Sequence, residues 1–196
     1  MKTHLIKLIW GLVLLAAATS AKAQGYVYTV NIQQLGNDVV ASGSGSWDTS
    51  AMTYEASGPI PADDMSPFFG YLSFGPLNVT TSEYATEFTV DTQGFGSSMF
   101  GYTVSSTSGE ALLVHTSSST FCIQNGYVSG TTVASSDTWS GSTFKSLGLT
   151  VGNYTWTYAS GAGIYNVDVL AVPEPSNLAF SALGGLGALL TIRRRI

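Results

Sequence analysis

Chemistry in this chain of 196 residues would have to begin from very few side chains. Nucleophilic catalysis needs a nucleophile beside a base that can take its proton. Between residues 24 and 171 there is one histidine, His115, and one cysteine, Cys122. Serines are abundant, so a serine compatible with a Ser-His-Asp arrangement arises by chance, and no G-x-S-x-G elbow is present. His115 and Cys122 would approach each other if Thr116–Thr120 forms a tight loop, yet no thiol-protease motif surrounds either residue. One histidine and one cysteine do not make a zinc site. Asp63-Asp64 is the best acidic pair for calcium, but neighbouring acids on a chain point apart, and no D-x-D-x-D-G loop exists. A glycosidase needs two carboxyl groups at a set separation, and eleven scattered acids do not specify one. Trp47, Trp139 and Trp156 would serve as a stacking platform for sugar rings if exposed; their alternating positions favour the core instead. The sequence therefore nominates no catalytic residues, no cofactor and no metal.

The elements that would position these residues are short strands. Tyr26, Tyr28, Val30 and Ile32 alternate with Val27, Thr29, Asn31 and Gln33, the period of a strand with one buried face. Gly36-Asn37 turns the chain, and Asp38–Ser46 returns as a Gly/Ser-rich strand before Trp47. Residues 47–67 read as a loop with one short strand at 52–56, and the Gly75-Pro76 break makes 68–80 an edge or bent segment. Tyr84–Val90 alternates as one strand, and Met99–Val104 pairs with Glu110–His115 across Ser105–Gly109. Thr120–Gln124 and Tyr127–Val133 flank Asn125-Gly126, the strongest hairpin dipeptide in the chain. Further strands are expected at 138–144, 153–158 and 164–171. Nine to eleven short strands without a helical period predict an all-β fold, an antiparallel β-sandwich of jelly-roll type.

Charge separates this body from its two ends. Six of the seven Lys and Arg residues lie at the ends, and the body keeps only Lys145 against eleven acids, a net charge of about −10. Phosphate backbones repel such a surface, so a nucleic-acid partner is excluded. A single cysteine permits no internal disulfide.

The ends carry targeting signals. Lys2 and Lys7, the apolar core Leu8–Ala18 and the small-x-small site Ala21-Lys22-Ala23 before Gln24 read as a signal peptide over residues 1–23. The exported domain then covers residues 24–171. Residues 172–196 hold Pro173-Glu174-Pro175, an apolar run over about 177–192, and the cluster Arg193-Arg194-Arg195. A helix over that run would span roughly 23–26 Å against a hydrocarbon core of about 30 Å. Snorkelling arginines lengthen the effective span and hold the tip on the cytoplasmic side.

That ordered tail resembles the PEP-CTERM sorting signal of Gram-negative bacteria, over about an eighth of the chain. The resemblance implies recognition of Pro173, Glu174 and Pro175 by an exosortase-type membrane enzyme, after export by the general secretory machinery and signal peptidase. It implies removal of the tail, delivery to the envelope, cell surface or extracellular matrix, and company with exopolysaccharide and biofilm systems. The expected function is a non-enzymatic surface or matrix protein. A carbohydrate-binding module of the matrix is the alternative, and a glycoside hydrolase stands behind it.

Overall fold

The computed structural model describes residues 25–60, 64–76, 78–90 and 94–171. The signal peptide with Ala21, Ala23 and Gln24, the acid Asp63, and the tail with Pro173, Glu174, Pro175, Arg193, Arg194 and Arg195 lie outside the described residues. Among the described residues no helix is long and apolar enough to cross a membrane.

Among the described residues fourteen strands follow in chain order: β1 (Tyr26–Leu35), β2 (Asp38–Gly45), β3 (Thr53–Pro59), β4 (Asp64–Ser66), β5 (Tyr71–Phe74), β6 (Thr80–Ala85), β7 (Phe88–Val90), β8 (Tyr102–Thr103), β9 (Ser106–Gly109), β10 (Leu112–His115), β11 (Thr120–Gln124), β12 (Val133–Trp139), β13 (Gly152–Tyr158) and β14 (Gly163–Val169). They make two seven-stranded sheets. The first has the order β7-β13-β14-β1-β2-β12-β9, the second β3-β6-β11-β10-β5-β4-β8. The all-β, two-sheet expectation is met.

Alternation builds the first sheet. Tyr28, Val30 and Ile32 of β1, Val39 and Ala41 of β2, and Tyr165, Val167 and Val169 of β14 are all buried. Their neighbours in sequence form the outer face. One pairing departs from an all-antiparallel sheet: β1 and β14 run parallel, from Tyr26↔Gly163 to Ile32↔Val169. A parallel neighbour needs a long crossover, and here the crossover is nearly the whole domain. The first and last strands thus close the middle of one sheet. Side-chain alternation carries no information on strand direction, so the sequence did not show this.

Trp47 sits between the sheets. Its ring centroid lies 5.2 Å from that of Tyr28, 4.4 Å from Phe121, 5.0 Å from Tyr158 and 5.6 Å from Tyr165. At the opposite end of β12 the Trp139 Nε1 donates to the Tyr102 carbonyl at 2.8 Å. Between them Gly75 N–H donates to Thr107 Oγ1 of β9. On the second sheet these contacts fall on β11, just past the end of β5, and on β8. Gly43 makes room for the core, because a Cβ there would run into the Tyr28 ring.

Four local expectations are corrected. Asn125-Gly126 does form a turn, with Tyr127 N–H on the Gln124 carbonyl. Only Gly126 has positive φ (86°), so the turn lacks the I′ geometry that twists two strands together. The chain leaves the second sheet there and is held by Trp47: Tyr127 Oη accepts from Trp47 N–H at 2.9 Å, and Gly130 N–H donates to the Trp47 carbonyl. Strand β12 then pairs with β2 and β9 in the first sheet. The expected pairing of 99–104 with 110–115 does not form: β8 pairs with β4, β10 pairs with β5 and β11, and the segment 105–109 contains β9 itself, whose hydroxyl-bearing Thr107 reaches Asp137 at 2.7 Å. The expected strand 84–90 breaks at Thr86-Glu87 and divides between the sheets, since Thr86 N–H is taken by the Ser119 carbonyl. The strand expected at 138–144 ends at Trp139.

Candidate functional site

The register of the second sheet assembles a site on its outer face. Ser73, Leu113, Cys122, Glu83 and Ala56 form one cross-strand row, from β5 through β10, β11 and β6 to β3. Tyr71, His115 and Thr120 form the next row. The hairpin between β10 and β11 closes through Thr116–Ser118, and the tight loop brings His115 and Cys122 onto one face. Above these rows, Ile60 packs on Ala111, Leu113 and Cys122, with Tyr71 and Val79 against the cluster. Between them lies a groove of about 270 Å³ lined by Ser57, Tyr71, Thr81, Glu83, His115 and Thr120, with Leu113 and Cys122 also on its wall.

The electrostatics of the groove argue against thiol catalysis. Burial pushes the Cys122 thiol up to about 12, and the negative charge of Glu83 adds to the shift. Partial burial holds the His115 imidazole below its ordinary value. A neutral imidazole and a protonated thiol do not make a thiolate-imidazolium pair at neutral pH. The Tyr71 phenol is also raised, first by burial and then by the charge of Asp64. The edge of the Tyr71 ring meets His115 at 5.1 Å between centroids, and Phe69 meets the same imidazole at 6.4 Å. Hydroxyls, one carboxylate, a neutral imidazole and the Tyr71 ring around an apolar floor can hold a small polar ligand such as a sugar.

Other sequence candidates fall elsewhere. Trp47, Trp139 and Trp156 are buried in the core and offer no stacking surface. Asp64 opens β4, its backbone N–H donating to Ser73 Oγ at 2.9 Å. Among the described residues no group of three or more His, Cys, Asp or Glu side chains is placed to hold a metal ion. Tyr71, Glu83, Thr81 and Thr120 were not nominated from sequence. The signal was there in Ala111–Val114 and Phe121–Ile123: unbroken apolar runs mark strands covered on both faces.

The outer face of the first sheet is different, a ladder of polar side chains, mostly hydroxyls and amides. Thr155 Oγ1 donates to Asn166 Oδ1 at 2.9 Å, and Ser42 and Ser136 share a hydroxyl contact of 3.3 Å. Asn153, in an N-x-T pattern, donates its side-chain amide to Asp168 at 2.7 Å. No family model, no curated protein and no solved structure matches this chain.

Proposed function

We propose that this is an exported, non-enzymatic protein of the cell surface or extracellular matrix. In this reading a jelly-roll-like domain lies between a signal helix and a C-terminal transmembrane helix. The secretory machinery exports it and signal peptidase cuts after Ala23. The tail then holds it at the inner membrane until an exosortase-type enzyme acts at Pro173-Glu174-Pro175. Association with exopolysaccharide in a biofilm follows from the same resemblance.

The observation that carries the reading is the order of parts at the C-terminus. Strand β14 ends at Val169, with three residues between it and Pro173. Beyond it come the stiff Pro-Glu-Pro, the short apolar run and the arginine cluster, in that order. In the proposed reading, a processing enzyme acts on this motif once the domain before it has folded. The acidic, Ser/Thr-rich body agrees with a hydrated matrix setting. Replacing Pro173, Glu174 and Pro175 with alanine should leave the protein in the membrane fraction with its tail intact. Surface delivery and mass equal to those of the unaltered protein would defeat the sorting reading.

The groove on the second sheet favours one further reading, sugar binding by the folded domain. Its support is the convergence of Tyr71, Glu83, His115 and three hydroxyl residues on one 270 Å³ space.

A further inference from the structure

The parallel pairing of β1 and β14 puts the start of the first strand and the finish of the last at opposite ends of the domain. Tyr26 and Gly163 start side by side at one end, and Ile32 and Val169 finish together at the other. Leu170 N–H then bonds the Ile32 carbonyl at 2.9 Å, which fixes the direction in which the chain leaves.

Exposed apolar side chains gather where it leaves. Leu35 is 57 % exposed and lines a small recess with Leu170 and Ala171. Val151 precedes Gly152, the partner of Val169, so it stands beside Leu170 on the next strand. Three residues before Val151, the Gly148 carbonyl accepts from Ser97 N–H, which brings the 97–100 turn to the same end. Met99 and Phe100 on that turn are 62 % and 77 % exposed, the two largest apolar side chains so open to solvent among the described residues. Lys145, the body's single cation, is exposed in the neighbouring loop, whose Phe144 N–H donates to Gln34 Oε1. Elsewhere the surface is acidic or neutral.

We infer that this end of the domain is a membrane-contacting face: Leu35, Val151, Leu170, Met99 and Phe100 rest in the interface of a phospholipid bilayer while the tail is in place. The inference rests on the tail being a membrane anchor. The tail begins within three residues of Leu170, so an anchored domain must present this end to the lipid. An aromatic and a methionine on a turn are suited to the headgroup–acyl boundary, which amphipathic surfaces enter by about 5–10 Å. Lys145 adds a phosphate contact at the rim. Of the carboxylates at this end, Asp38 accepts from Gly141 N–H and Asp168 from Asn153, while Asp64 lies against Gly101 beneath the Phe100 turn. Once the tail is removed, only this modest apolar area would hold the domain, so release follows.

The test uses the full chain reconstituted into phosphatidylcholine vesicles, with an environment-sensitive fluorophore on Phe100→Cys in one sample and on Val128→Cys in another. Val128 is 66 % exposed at the opposite end, beside Trp47. Cys122 stays in place, buried and protonated. Both substitutions are at exposed turns and leave the core untouched. Brominated acyl chains should quench the probe at position 100 and shift its emission to the blue, leaving position 128 unchanged. Vesicle-bound protein with both probes equally water-like would overturn the contact face and leave the anchor reading standing. Protein that does not float with vesicles would overturn the anchor reading, and this inference with it.

Discussion

Tyr165 shows how single side chains set the stability of this core. Its ring is fully buried, and its hydroxyl has no hydrogen-bond partner in the structure. A buried hydroxyl without a partner carries its desolvation cost uncompensated. Tyr165→Phe keeps the ring contacts with Trp47, Tyr28 and Trp156 and removes that cost. It should stabilise the domain by about 1–2 kcal/mol in urea unfolding, where most core changes destabilise. A loss of stability would show that the hydroxyl is satisfied. Cys122 gives a second prediction at this scale. An unfolded thiol loses its proton near 9.0, and the native one only near about 12. The native state holds the proton more tightly, so stability is full below 9.0 and is lost as pH rises through that window. Tyr158, raised from 10.0 to about 12 by burial, acts in the same direction. The urea midpoint should fall through this range, and Cys122→Ala should flatten the part that begins first. A midpoint independent of pH across it would count against the buried, protonated thiol.

At the scale of elements, the connection between β11 and β12 decides which sheet the chain enters. Tyr127 Oη accepts from Trp47 N–H and lies 2.8 Å from the Thr131 carbonyl, to which it donates. Tyr127→Phe leaves the Trp47 N–H without that acceptor, and should cost about 1–3 kcal/mol with the fold retained. Stability equal to that of the parent protein would mean that the crossing is set by backbone contacts alone. This connection also marks where sequence reading stops. Strands β1, β2, β13 and β14 were legible nearly to the residue, because each buries one face against the other sheet and alternates accordingly. Asn125-Gly126 was legible as a turn but not as a crossing, since the tie to Trp47 spans 80 residues of sequence. Strand β9 was hidden because Ser106–Gly109 contains no apolar residue; it is held at an edge by pairing with β12 and by Thr107 on Asp137. The groove was half legible. His115 and Cys122 stood out by rarity, but Tyr71 and Glu83 join them only through the register of four strands.

The whole molecule divides its work between a folded body and its ends. The body is a two-sheet domain with an aromatic centre, an acidic surface and a groove suited to a small polar ligand. Its basic residues, apart from Lys145, belong to the terminal segments. In the proposed reading, destination is written in the ends, and the body supplies a surface to be displayed. The same reading gives the pairing of first and last strands a part: Val169 ends beside Ile32, so that end of the domain is the one an anchor would turn to the membrane. Intact mass of the protein recovered from the surface or medium of the native cells tests the central claim most directly. The account predicts a chain that begins at Gln24 and lacks the apolar run and Arg193-Arg194-Arg195. A recovered chain that still carries residues 177–196 would contradict it.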